Sequence, residues 1–475
     1  MGCAESKVRN NVSAGGQLEQ PSEVKSSTRI GFEDAANAGA ENNIHIATAG
    51  NVIAITTEIL WKLGITQKIP GTQQSYNAYL SRQRGVLSAV LSAQFTVSLK
   101  WVELKSILGE KMRKTVLFGV VLIALIAVPA YGADSAKTWY FAVSGDSRNC
   151  GDVVMPAIAA DAIKHDVAFY WHLGDLRKIS APDEDFIQEQ AQKGTPADLA
   201  FYESHAWDNF IEDQIKPWGE TPFYLGIGNH ETIPPKNRTA FIEKFHEYLD
   251  RPDLREQRLK DDHEATQPKT YYHWMRDGID FIYLDNATGS DFEPGQMQWI
   301  AGVLDRDRKD DAIHTIVVGM HEALPESISA NHSMNESPSG VETGRQVYQM
   351  LLKMQNEAHK TVYVLASHSH YFMEGIFNTE YWKANGGVLP GWIVGTAGAE
   401  RYPLPPTAGD AKAAKTNVYG YLIATVNPAG EAPGTMKFKF EELKEDSIPA
   451  DVVQRFTKPF VHQCFIGNRR TAPIQ

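Results

Sequence analysis

Cysteine is scarce in this sequence: Cys3, Cys150 and Cys464 are the whole supply in 475 residues. So few thiolates exclude an iron–sulfur cluster or a copper(I) thiolate site. Cys150 and Cys464 form an even pair downstream of a candidate export signal. In an oxidising compartment they read as a single disulfide; the alternative is two unpaired buried thiols. Excess positive charge is also missing. The formal net charge is -12, which leaves no electrostatic footprint for nucleic acid and disfavours a general DNA or RNA binder. No apolar run reaches the roughly 20 residues that a comfortable transmembrane helix needs. Internal repeats and low-complexity tracts are absent. With 43% hydrophobic and 22% charged residues, the chain is neither disordered throughout nor a polytopic membrane protein. Its length suits one large domain or two ordinary ones.

The longest apolar run has a specific form. Met112, Arg113 and Lys114 open a basic stretch, VLFGVVLIALIAVPAY follows from Val116 to Tyr131, and Ala130 to Ala133 supply small residues where signal peptidase cuts. This is the three-part pattern of a secretory signal peptide. The alternatives are an uncleaved anchor and a buried helix. Signal peptides act at an N-terminus, so residues 1–111 read as an extension outside the mature protein, 112–132 as the signal, and 133–475 as the mature chain. The expected location is periplasmic or secreted, with no stable membrane anchor once the signal is cut. Met1, Gly2 and Ser6 fit a myristoylation pattern, which a downstream secretory signal contradicts.

Beyond Ala133, short runs rich in β-branched and aromatic residues alternate with amphipathic stretches. The runs are 138–145, 167–174, 223–228, 313–320, 361–367 and 392–396. Helix-like stretches such as MPAIAADAIKH and GQMQWIAGVLDRD separate some of them, which gives an α/β class. Asp277 and Gly278 mark a hairpin turn inside YYHWMRDGIDFIYLDN. The stretch from about 180 to 220 reads as a polar insertion over one end of the sheet, and 399–417 as a loop.

Five of the runs end on a residue able to bind a metal: Asp146, Asp175, Asn229, His321, and His368 with His370. In open α/β sheets ligands bind beyond the carboxyl ends of strands. One polar residue at a strand end is usually a turn or a cap. Five together, the last as His-x-His, point to a metal site. Oxygen and imidazole donors suit manganese, iron, zinc or magnesium. Two carboxylates and three histidines exceed what one metal usually needs, whereas two ions about 3.5–4 Å apart, sharing a carboxylate, would use them all.

The order Asp, Gly-Asp, Gly-Asn-His-Glu, His and His-x-His resembles the calcineurin-like metallophosphoesterases, which include purple acid phosphatases; FIYLDNAT and QMQWIAGVL also look like that family's middle section. The resemblance covers nearly all of 138–400. It implies a four-layer α/β/β/α sandwich of two mixed β-sheets. It implies that Asp175 bridges two metal ions of manganese, iron or zinc, with Asp146 and His370 on the first and Asn229, His321 and His368 on the second. It implies that His230 faces the phosphate and the leaving group, and that Glu231 holds His230. The implied reaction is hydrolysis of a phosphate-ester substrate by a hydroxide generated at the dinuclear centre.

The sequence departs from that family's pattern. Arg148 stands where many members have a histidine, and Lys178 where purple acid phosphatases have a tyrosine ligand. Neither protonated cation ligates a metal. Arg148 is either a phosphate clamp or a neutralising partner of Asp146 or a surface carboxylate. Lys178 reads as solvated. Ser367 takes the place of a common glycine, a small change, and Glu231 that of a frequent aspartate. His172 reads as a core histidine, and His332 as a candidate pocket residue. Two other readings stay open: a non-catalytic metal- or phosphoester-binding protein on the same fold, its first site lost, and a membrane-anchored interaction protein with 1–111 inside the cell.

Overall fold

The apolar runs become strands of two mixed sheets. The computed structural model describes residues 137–288 and 291–471, so the extension 1–111 and the signal 112–132 lie outside the described residues. The first sheet contains β1 (Trp139–Ser144), β2 (Val167–His172), β3 (Phe223–Leu225), β11 (Tyr419–Val426) and β12 (Met436–Leu443), in the order β12-β11-β1-β2-β3. β1, β2 and β3 run parallel, and β11 joins β1 antiparallel. The second sheet contains β4 (Tyr272–Arg276), β5 (Ile279–Leu284), β6 (Thr315–Met320), β7 (Thr361–Ala366), β8 (Phe372–Glu374), β9 (Gly391–Val394) and β10 (Ala413–Lys415), in the order β10-β8-β9-β7-β6-β5-β4. β5, β6, β7 and β9 are parallel; the β4–β5 hairpin, turning at Asp277 and Gly278, is antiparallel.

Successive side chains on a strand point to opposite faces, and that period sorts the aromatics between two layers. Phe141 and Phe169 stack at 5.0 Å on the inner face of the first sheet, and Phe281 of the second meets both edge-on at 5.4 and 5.3 Å. Tyr224 stacks on Trp274 at 3.9 Å. This seam between the sheets is dry; burying one such ring contributes roughly 1.5–3 kcal/mol. On the outer face of the first sheet lies helix α1 (Gly151–Lys164), whose Met155 Sδ takes the Tyr170 hydroxyl at 3.5 Å. Helices α4 (Pro294–Lys309) and α5 (Pro338–Asn356) cover the second sheet; Val347, Tyr348 and Leu351 pack in one cluster with Val318, Val362 and Val364. The result is the α/β/β/α sandwich.

The polar insertion is helical. It forms α2 (Glu184–Lys193) and α3 (Leu199–Phe210), which bury Phe186, Tyr202 and Ala206 in a small cluster with Ile179. A narrow apolar stripe among many charges is enough for a helix that covers only a loop. After α5, helices α6 (Ala450–Phe456) and α7 (Lys458–Ile466) close the chain. Cys464 on α7 is disulfide-bonded to Cys150 at the start of α1, across a separation of 314 residues.

A buried charge network stands apart from the strand ends. His273 on β4 lies between Asp261 (2.5 Å) and Asp280 (2.8 Å). Burial alone would lower its pKa, but the two carboxylates push it up to about 10, from an ordinary 6.5. Burial and Asp280 raise nearby Asp307 to about 8. A raised histidine stabilises the fold fully below pH 6.5 and loses that contribution as pH climbs to about 10. Unfolding free energy should therefore fall by up to about 5 kcal/mol over that window. Above pH 8, where Asp307 has titrated, His273→Gln should flatten the remaining slope; an unchanged slope in urea titrations would contradict the assignment.

Candidate metal centre

The parallel strands of both sheets end at one place. Asp146 follows β1, Asp175 follows β2, Asn229 opens a short helical turn after β3, His321 follows β6, and His368 and His370 follow β7. Asp146, Asp175 and His321 are fully buried, and His370 nearly so. Three of these residues hold left-handed backbone, with φ of 59° at Asp146, 60° at Asp175 and 65° at His368. Such conformations cost about 1–3 kcal/mol each in a residue other than glycine and persist only where surrounding contacts over-determine them. Here they do. Asp146 Oδ2 accepts the His368 amide at 2.7 Å and the Ser367 hydroxyl, and Asp175 Oδ1 accepts the His230 amide at 3.0 Å.

Two groups of ligand atoms share Asp175: Asp175, His321 and His368, and Asp146, Asp175 and His370. In the first of these, His321 Nδ1 donates to Leu173 O at 3.0 Å, so Nε2 keeps a lone pair. That lone pair faces Asn229 Oδ1 at 3.0 Å, Asp175 Oδ1 at 3.3 Å and His368 Nδ1 at 3.0 Å. These oxygens only accept, so either a proton or a metal ion on His321 Nε2 satisfies them. Asp175 Oδ2 and His368 Nε2 are buried without a hydrogen-bond partner. Burial and the neighbouring His332 and His321 hold His368 well below the usual imidazole range, so it is neutral, the form that ligates. The residues of this group fit a divalent ion.

The other group is arranged differently. His370 Nδ1 donates to Glu400 O at 2.6 Å, which leaves a lone pair on Nε2. Arg148 Nη2 lies 2.7 Å from it. Arg148 Nη1 contacts His230 Nε2, and its Nε is 3.4 Å from Asp175 Oδ2. Arg148 is 8% exposed. Burial works against its charge, but Asp175, with Asp146 behind it, raises its pKa above the usual arginine value. As placed, this group holds a guanidinium and does not fit a metal ion beside it.

His230 donates through Nδ1 to Lys178 O at 2.5 Å. Burial is the main cause that lowers its pKa to about 4, so it is neutral with a lone pair turned to Arg148. In that state Nε2 has no proton for a leaving group, and an acid role requires Arg148 to release it. Glu231, which the resemblance makes the holder of His230, instead accepts backbone N–H groups of Asp175 (2.9 Å), Leu176 (2.9 Å) and Gly228 (2.8 Å). A carboxylate one residue along a tight helical turn points away from its neighbour, into the loop it braces. Burial and Asp175 push its pKa up to about 8, while the three N–H groups pull the other way.

Lys178 is solvated beside Glu184, at 3.7 Å. His172 is a core residue, 3.0 Å from Ser147 Oγ, with a pKa driven down to about 3 by burial. Sequence reading missed two supports: Ser367 donates to Asp146, and Tyr402 stacks 3.9 Å from His370. His332, expected near the pocket, lies with its ring tilted 3.8 Å from that of His368. Ser367 carried a signal, its place beside the His-x-His; Tyr402 carried none. A cavity of about 450 Å³ opens beside His332, walled by Ile328, Tyr371, Leu404 and Pro405.

No family model and no curated protein matches the chain. Among solved structures it is similar to purple acid phosphatase PPD1 from yellow lupin (Lupinus luteus), at 14% identity and TM-score 0.42 over 65% of this chain and 52% of that one. The chain thus spans about half the length of the lupin protein. It is similar to PhoD at 15% identity and TM-score 0.43, over 71% of this chain and 79% of that one. It is also similar to a metallophosphoesterase from Sphaerobacter thermophilus at 12% identity and TM-score 0.22, over 67% and 98%.

The close approach of loops around Asp175 depends on Gly228. A Cβ there would overlap the Asp175 backbone nitrogen and carboxylate. Gly228→Ala should cost about 1–3 kcal/mol of stability, the usual penalty for overpacking, and weaken manganese binding at least tenfold. Gly295→Ala, which faces open space, should change neither in paired calorimetric titrations and melts. With two mixed sheets face to face, helices outside and Asp, Asn and His side chains gathered at the strand ends, the chain has the α/β/β/α sandwich that the resemblance of its motifs to the calcineurin-like metallophosphoesterases implies.

Proposed function

We propose that the chain is an exported, metal-dependent phosphoesterase that hydrolyses a phosphate ester. The observation that carries this reading is the convergence of Asn229 Oδ1, Asp175 Oδ1 and His368 Nδ1 on His321 Nε2 at 3.0–3.3 Å, around the buried Asp175. Asp175, Asn229, His321 and His368 would hold a divalent ion. When bound, such an ion supplies an acidified water and a Lewis acid for phosphoryl oxygens.

The chain's own residues then bind and orient the ester. Arg148 has N–H groups left over after its contacts with His370, His230 and Asp175, and a guanidinium fork matches phosphate oxygens. His230 lines the same space, with its side chain 14% exposed and its tautomer set by Lys178 O. The cavity beside His332 would take the alcohol portion of the ester and keep water from it. Export is supported by the signal-like run 112–132 and by the Cys150–Cys464 disulfide, which persists in oxidising compartments. A second reading, a non-catalytic phosphoester-binding protein, is favoured by the guanidinium of Arg148 against His370 and Asp175, two of the ligands of the group with Asp146.

The test is an esterase panel of aryl and alkyl phosphate monoesters and diesters, with manganese, iron or zinc supplied in turn. At least one ester should be cleaved, chelation should abolish cleavage, and Asp175→Asn should lower both turnover and bound metal by more than a hundredfold. Metal binding without cleavage of any ester would favour the binding protein. The mass of the exported chain should place its N-terminus at Ala133 or Asp134; an intact Met112 would count against export by cleavage.

A further inference from the structure

We propose that the Arg148 guanidinium permanently takes the place of one metal ion, so that the chain works with a single divalent ion held by Asp175, Asn229, His321 and His368. This rests on the metal-dependent reading above and departs from the dinuclear centre implied by the motifs.

Three observations carry it. First, two of the three residues that would ligate an ion in the other group are already engaged by Arg148, while Asp146 Oδ1 lies 3.1 Å from His370 Nε2. Arg148 Nη2 stands 2.7 Å from the His370 Nε2 lone pair and its Nε 3.4 Å from Asp175 Oδ2. Those belong to the same residues that, with Asp146, make up that candidate group. Second, an ion could enter only by displacing a cation that cannot lose its proton. Keeping both would place two positive centres within one ligand set.

Third, the guanidinium is not a passing visitor. The backbone on its C-terminal side is pinned. Asn149 N–H donates to Asp183 Oδ1 at 2.7 Å, and Glu400 N–H donates to Asn149 Oδ1 at 3.0 Å. Cys150 is tied to Cys464. Asp183 is in turn held near the buried Arg177, 3.8 Å away. Arg148 therefore leaves a fixed loop and points inward at a fixed depth.

The arrangement also accounts for the charge. Asp146 and Asp175 are both fully buried. One guanidinium and one divalent ion neutralise the pair, with positive charge left over for a phosphate.

The experiment is manganese stoichiometry on the purified full chain, by equilibrium dialysis and elemental analysis at saturating Mn(II). The wild type should bind one ion per chain. Asp146→Asn should still bind one, because that side holds no ion, and His321→Ala should bind none. Arg148→His, which offers a neutral donor in place of the guanidinium, should gain a second ion. Arg148→Ala leaves buried carboxylates uncompensated. If it folds only with added manganese, raising its melting temperature as a second ion binds, that too supports the substitution. Two ions in the wild type would overturn the inference while leaving the metal-dependent reading intact. One ion lost in Asp146→Asn but kept in His321→Ala would overturn it as well. No ion in any variant would instead overturn the metal-dependent reading.

Discussion

Two carboxylates, Asp146 and Asp175, lie fully buried where the ends of two parallel strands meet the second sheet, and neither is tolerable there without a cation. Much of the local architecture serves that constraint. The left-handed backbone at both residues aims the carboxylates inward. Backbone amides of His230 and His368 and the Ser367 hydroxyl take one oxygen of each. Three histidines turn lone pairs toward the same space because carbonyls of Leu173, Lys178 and Glu400 hold their other nitrogens. Removing water from such a set strengthens every remaining interaction, which makes the seam both costly to build and useful for phosphoryl chemistry.

A second buried cation lies behind the first. Arg177 has no exposed surface and meets Asp152 at 2.7 Å, Asp185 at 3.3 Å and Asp183 at 3.8 Å. These carboxylates also accept backbone amides of Asn149 and Asp152. The network locks the loop after β1 to the helical insertion, and Arg455 of α6 extends it to Asp213 and Glu189. The disulfide ties the same loop to α7. Together these contacts fix where Arg148 can reach, so the chemistry at the strand ends depends on charges several residues away from it.

Much of this was legible in the sequence because strand ends are punctuated. An apolar run that stops at Gly-Asp, Gly-Asn or His-x-His announces both the strand and the ligand, and the Asp277–Gly278 turn announced its hairpin. β11 and β12 were less visible. β11 is almost wholly buried but was not among the runs read as strands, and β12, MKFKFEEL, alternates with lysine and glutamate because one face meets solvent. The helical insertion was hidden by its charges, two of which, Asp183 and Asp185, turn inward to Arg177. Within the site, residue types were readable but hydrogen bonds were not. Nothing in GNHE tells that Glu231 braces Asp175 instead of His230, and Arg148 could be named a misfit but not placed. Tyr402 comes from a proline-rich loop far along the chain, and only folding brings its ring onto His370.

The central claim is that the chain supplies one cation itself and leaves room for one metal ion. Electron paramagnetic resonance of the full chain saturated with Mn(II) tests it most directly, because two manganese ions about 3.5–4 Å apart are exchange-coupled and a lone ion is not. The account predicts the hyperfine pattern of an isolated, protein-bound Mn(II). The spectrum of an exchange-coupled pair would contradict it.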